Sequence, residues 1–323
     1  MLFRSRSDAL LLYPEVSQNA LGIHTYRIVV SDIFGERKRT LYTVTASQRE
    51  QYLDSISPRG TYYTLQSPSY GILKTSSNHN TAHEFSGEVR AFRFSADERF
   101  IAFTRFLRKN GGYEIVLFDI ERGQELVLQK SVTVPVLLWS DSEDDALFVG
   151  FGGSIKIFTG IREWGRGEKS DIAQKSLANV RGCNEFTLAG KTLYCVTKSD
   201  ALGIAVENPY KETYKHRSFA YYIVAYSADD LFTDYHIMNK GPMFSYAASL
   251  PPHVTKILSI DERYLLLGAS NYGHSIERFV ILDATTGLVN RIESAANAAA
   301  EEFSKSLVDL FMRELVPIIY RGK

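Results

Sequence analysis

Val89 to Leu126 reads VRAFRFSADERFIAFTRFLRKNGGYEIVLFDIERGQEL, and Val254 to Asn290 says it again as VTKILSIDERYLLLGASNYGHSIERFVILDATTGLVN. At one offset of 164 positions, Ser95, Asp97, Glu98, Arg99, Val116, Asp119 and Gly123 recur as Ser259, Asp261, Glu262, Arg263, Val280, Asp283 and Gly287. In the first copy an apolar run through Phe92 and Phe94 meets a polar corner at Ser95 to Arg99, and Phe100 to Phe106 follows. A turn at Lys109 to Gly112 leads into Tyr113 to Ile120, and ERGQ begins the next turn. Apolar runs rich in β-branched and aromatic residues, punctuated by Gly, Asn, Asp and Ser, are strands joined by tight turns. Two hairpins in series, repeated in register, belong to solenoids, propellers or arrays, because one such sheet cannot bury both faces alone.

Working outward, the same corner recurs more weakly. It falls near residues 57, 95, 140, 189 and 259, and SRSDALLLY around Ser7 offers a sixth. Spacings of about 40–50 residues with four short strands each suit the blades of a propeller. The count predicts six blades, or seven if the long gap from 189 to 259 holds another. The segment SAANAAAEEFSKSLVDLFMREL differs. Its helix formers carry Phe303, Leu307, Leu310, Phe311 and Leu315 on one stripe, with Ser294 as N-cap and Pro317 as terminator. The expected architecture is all-β, a β-propeller over 1–292, with a C-terminal amphipathic α-helix and tail over 293–323 packed on it. VPIIY, after the helix, reads as a strand that closes the ring.

The residues of the repeat carry a resemblance. SADERFIAF followed by YEIVLFDIERGQEL resembles the blade repeat of TolB-like and WD40-like β-propellers, of the form S-P-D-G-x-x-[IL]-A-F then [IV]-x-[LV]-x-D-x-x-[TS]-G. Ser95, Asp97, Ile101, Ala102, Phe103, Asp119 and Gly123 fit it, as do Ser259, Asp261, Leu265, Asp283, Thr286 and Gly287. Glu98 and Glu262 stand where the turn glycine is usual, and Ala96 and Ile260 where proline is. The resemblance implies the fold and no catalytic residues, because the repeat is structural.

Composition narrows the function. The chain has 323 residues, 45% of them apolar, enough for a large core. Lys plus Arg equals Asp plus Glu at 37 each, so no global field steers the protein to nucleic acid or an anionic membrane. No apolar run approaches the roughly 18 residues of a membrane span, and ALLLY near the N-terminus is too short for a signal sequence. Two cysteines make no disulfide framework, which predicts free, buried thiols in a cytoplasmic protein. Cys183 and Cys195 nevertheless lie symmetrically about Ala189, where a hairpin centred on that residue would set them face to face.

Candidate chemistry is sparse. His79 and His83 are spaced for a helical metal site, but Asn80 replaces the zincin glutamate and the segment SSNHNTAHEF reads as a polar surface loop. SDSEDD, from Ser140 to Asp145, lacks the glycine and distal glutamate of a calcium loop and falls at a corner. GFGGS, from Gly150 to Ser154, has no Gly-Lys-Ser/Thr ending and reads as a glycine-rich hairpin or bulge. No G-x-S-x-G elbow is present. No cofactor and no metal are therefore expected.

Two segments read as binding surfaces. GIREWGRGEK sets Trp164 among Arg162, Arg166 and Lys169 without strand periodicity, and exposed Trp and Arg dominate interfaces once desolvated. The insertion ENPYKETYKHRSF interleaves Tyr210 and Tyr214 with Lys211, Lys215, His216 and Arg217. One such patch on a neutral chain argues for another protein as partner rather than nucleic acid. The expectation is a non-enzymatic protein-binding scaffold, or a cytosolic inhibitor or immunity-type protein. The alternative is a propeller hydrolase in which several of His24, His83, His216, His236, His253 and His274 meet Asp or Glu in the central channel.

Overall fold

In the computed structural model, residues 10–20, 23–32, 37–46, 52–109, 111–140, 146–151, 153–177, 180, 182–198, 221–227, 235–237, 253–259, 263–270, 278–285, 288–291 and 318–322 are described. They form six four-stranded antiparallel sheets. The first holds β1 (Leu10–Gln18), β2 (His24–Asp32) and β3 (Arg39–Thr45). The second is β4 (Tyr52–Ile56), β5 (Tyr62–Gln66), β6 (Tyr70–Thr75) and β7 (Thr81–Ser86), and the third β8 (Val89–Phe94), β9 (Phe100–Leu107), β10 (Gly112–Asp119) and β11 (Gln124–Ser131). The fourth is β12 (Val136–Trp139), β13 (Leu147–Phe151), β14 (Ser154–Thr159) and β15 (Ala173–Leu177), with helix α1 (Ile161–Arg166) before its last strand. β16 (Cys183–Ala189), β17 (Thr192–Lys198), β18 (Tyr221–Ser227) and β19 (Tyr235–Ile237) make the fifth, and β20 (His253–Ser259), β21 (Tyr264–Ser270), β22 (Arg278–Asp283) and β23 (Leu288–Arg291) the sixth. The expected strand in VPIIY is β24 (Ile318–Ile319), which pairs antiparallel with Leu11 and Leu12 of β1 and occupies the inner edge of the first sheet. The helix expected from Ser294 to Pro317 lies outside the described residues.

Strands β9 and β10 each carry five consecutive buried residues, a pattern that results when both faces of a sheet are covered. Phe85, Val89, Phe92, Phe94, Ile101, Phe103 and Phe118 share one core between the second and third sheets. Their rings sit 4.9–5.2 Å apart in tilted and edge contacts around Phe85, the spacing aromatic quadrupoles favour. Val196, Ile223, Ile257, Leu265, Leu267 and Leu282 form a second core between the fifth and sixth sheets.

The chain divides into two compact units. One comprises Met1–Val149, Phe158–Gln174 and Asn297–Lys323, the other Gly150–Ile157 and Lys175–Ala296. Pairing of β24 with β1 is one reason the tail groups with the N-terminal sheets.

All five corners fall between the first and second strands of their sheets. At Ser95 the backbone N–H donates to Phe100 O at 2.9 Å and Oγ accepts from Phe100 N at 2.9 Å. Ser57 does the same with Tyr62, and Ser140 with Ala146. A small hydroxyl that closes the turn against its own backbone explains why serine recurs there. Residues 141–145, four of them acidic, lie outside the described residues.

The inner strands carry a feature no pattern announced. Register shifts by one residue between Leu53 and Ser55, Arg90 and Arg93, Cys183 and Glu185, and Val254 and Lys256. Each shift is a β-bulge, which leaves a backbone group unpaired and turns the next side chain to the other face. In the third sheet the freed Phe92 N–H donates to Asp54 Oδ1, itself the bulged residue of the second sheet, at 2.9 Å.

The bulge in β16 also corrects the cysteine reading. Cys183 and Cys195 form a disulfide with Cα atoms 5.3 Å apart, not two free thiols. The turn is centred between Gly190 and Lys191, so Cys195 lies opposite Phe186, and an unbroken ladder would point Cys183 away from it. The extra residue, Asn184, swings Cys183 opposite Thr197 and onto the face of Cys195.

Candidate binding surfaces

Trp164 is not an exposed anchor. GIREWGR folds into helix α1 between two glycines with left-handed backbone, and Trp164 is 8% exposed with its ring 6.4 Å from that of Phe100. A six-residue helix lacks the length to show periodicity, so the segment read as irregular. Gly165 faces the same corner, where a Cβ would lie 2.6 Å from the Phe100 ring and 2.9 Å from Asp119 Oδ2. The carbonyls at the helix end are satisfied by cations: Arg99 donates to Gly165 O at 2.7 Å and Arg122 to Trp164 O at 3.0 Å. Arg162 pairs with Asp97 at 3.6 Å and the exposed Arg166 with Glu168 at 3.0 Å. The segment is a docked clip on the third sheet.

Each sheet has a corner end, where its first strand turns into the second and its third into the fourth, and an open end with the remaining connections. Helix α1 joins β14 to β15 and so belongs to a corner end. Residues 199–220 join β17 to β18 and leave from an open end. Tyr210, Tyr214, Lys215 and His216 lie outside the described residues. Sequence reading missed three exposed apolar side chains at open ends: Tyr52, 51% exposed at the start of β4, and Val132 and Val134, 86% and 62% exposed between β11 and β12. The only signal was a Val-Thr-Val-Pro run where a turn was due.

His216 and His274 lie outside the described residues. His24 opens β2 beside Tyr52, with ring centroids 5.9 Å apart. His83 lies on strand β7 rather than in a loop and packs 4.3 Å from the Phe118 ring. Burial pushes its pKa down against the opposing pull of Glu125 and Glu84. His79 is in the polar turn before β7, where Nδ1 meets the Tyr63 hydroxyl at 3.0 Å. GFGGS is the hairpin between β13 and β14, and Gly150 leaves room for the Phe186 ring, 2.6 Å from where a Cβ would stand. Among the described residues no three of His, Cys, Asp and Glu are grouped to hold a metal, and no helix is long and apolar enough to cross a membrane.

A polar cluster was also missed. Glu98 has φ of 66° and is buried, and its Oε1 accepts from Arg59 N at 2.5 Å. Gly60 holds the same position in the preceding corner with φ of 76°. Desolvation, then Tyr63 and Glu98, push the phenol of Tyr42 well above its usual pKa. The departure from the repeat at Glu98 thus marks a staple between two adjacent corners.

Successive four-stranded antiparallel sheets with serine corners and buried aspartates complete the repeat. Sheet by sheet, the chain resembles a β-propeller. No family model matches the chain, and no curated protein matches it. Among solved structures it is similar to the oligogalacturonate lyase from Vibrio parahaemolyticus, at 9% identity over 89% of this chain and 80% of that one, with a TM-score of 0.52. It is similar to the hydrazine synthase from Kuenenia stuttgartiensis, at 12% identity over 100% and 90%, TM-score 0.51. TolB from Acinetobacter baumannii, whose kind the repeat resembles, shares 15% identity over 88% and 68%, TM-score 0.44. At these identities the likeness is one of fold alone.

Proposed function

We propose that this propeller is a non-enzymatic protein-binding module that holds its partner at the open ends of its sheets. The supporting observation is the exposure of Tyr52, Val132 and Val134 at open ends, while the corner ends are closed by hydrogen-bonded serines and by α1. Apolar side chains left in water at one kind of sheet end are a cost that an interface removes. The insertion with Tyr210, Tyr214, Lys215 and His216 supplies aromatic and basic side chains of the kind that dominate interfaces. A scaffold or inhibitor that holds one protein partner is the role this reading assigns.

The test is a stoichiometric complex purified with the native chain and then challenged. Val132→Asp with Val134→Asp, or Tyr214→Ala with Lys215→Glu, should leave the melting temperature unchanged and weaken the complex by about 1 kcal/mol or more. Undiminished binding by both variants would remove the open ends from the interface and return attention to a polar site in the channel.

A further inference from the structure

We propose that the Cys183–Cys195 bond is a redox clasp that locks the start of the fifth sheet's inner strand. The argument begins with the bulge. Three other inner strands carry a bulge without cysteines, so the bulge does not exist to make the bond. Rather, the bond exploits it. On the far side of Asn184, Cys183 is the first residue of β16, held by its pairing with Thr197 and by an isolated bridge to Gly153. Beyond the bulge, Glu185 to Ala189 keep an unbroken ladder to Val196 through Thr192, and β17 is paired along its whole length with β18. The covalent link therefore secures the part of the hairpin that hydrogen bonding secures least. Where Asp54 closes a bulge with a carboxylate, this sheet does so with sulfur.

Both cysteines are buried, at 3% and 0% exposure, so a reductant reaches them only when the strand end frays. The exposed sulfur is then that of Cys183. A dithiol attacks it as thiolate, Cys195 leaves as thiolate, and the second thiol of the reagent resolves the mixed disulfide. The cystine gains two electrons and two protons as two thiols, and the dithiol becomes a cyclic disulfide. Because Cys183 lies at the open end, reduction would alter the surface assigned above to the partner. That consequence rests on the proposed function, but the clasp is tested without any partner.

The experiment is amide hydrogen exchange on the full chain, oxidised and after treatment with dithiothreitol. Alkylation before and after must first show a cystine two hydrogens lighter than the dithiol form; two free thiols in the air-oxidised protein would overturn the proposal. Exchange at residues 182–184 and at Thr197 should rise by about tenfold or more on reduction, with Phe186 to Val196 unchanged. Cys183→Ser with Cys195→Ser should reproduce the reduced pattern and ignore the dithiol. Uniform loss of protection across the sheet would make the bond a structural staple, and no change anywhere would make it idle. Either result sinks the clasp and leaves the binding reading untouched.

Discussion

Arg99 and Arg263 answer one another across the repeat, and so do the aspartates they meet. Asp119 and Asp283 are both fully buried, each 20 residues after its arginine. Asp119 accepts from Arg99 at 3.2 Å and from the N–H groups of Glu121 and Arg122; Asp283 accepts from Arg263 at 3.0 and 2.7 Å and from Thr285 N. Both arginines also lie over the next ring, Phe100 at 5.1 Å and Tyr264 at 5.0 Å. The copies differ in cover. Arg99 also donates to a carbonyl of α1 and is 23% exposed, whereas the side chain of Arg263 is 41% exposed. The constant part of the repeat is thus a buried carboxylate held by turn amides. Its cation changes worth with its surroundings, because an ion pair in water contributes little and a covered one leaves a stranded charge when broken.

The comparison can be broken most forcefully at its covered copy. Asp119→Ala should cost about 3–5 kcal/mol in urea denaturation, and Asp283→Ala less, since Arg263 can turn to water. Equal losses would show that cover does not matter. Trp164→Ala should cost about 3–5 kcal/mol by removing the clip's buried ring, and a near-silent result would restore it to the surface. Gly165→Ala should cost about 1–3 kcal/mol by forcing a methyl into Phe100 and Asp119; tolerance would mean that the clip can lift.

The smallest effect is one of pH. His83 packs on Phe118, next to Asp119, and its folded pKa is depressed below 6.5. As pH falls below 6.5 the unfolded chain takes up a proton that the folded protein resists, so stability declines from 6.5 toward the folded value. His83→Phe should flatten that slope. An unchanged slope in the variant would assign it to other groups.

The repeat, the five corners and the four-strand period were legible because each is written locally, in apolar runs bounded by Gly and Asp and, at three of the corners, in a serine that closes its own turn. Arg99, Asp119, Arg263 and Asp283 were legible as matches but not as ion pairs, since nothing in one strand says which neighbour it will meet. The binding surface was read less well. Trp164 looked exposed because a short helix hides its periodicity, and Val132 and Val134 looked like the start of the next strand.

By itself, then, the sequence determined an all-β chain of repeated four-stranded sheets, with serine corners and a C-terminal strand. Tertiary structure alone decided which residues are covered and which face each other. Trp164 is buried because Phe100, 64 residues earlier, lies beneath it. Cys183 meets Cys195 because one extra residue in the inner strand reverses a side chain. Strand periodicity is a property of the local backbone, but burial and the choice of face depend on register, and register is settled only when strands pair.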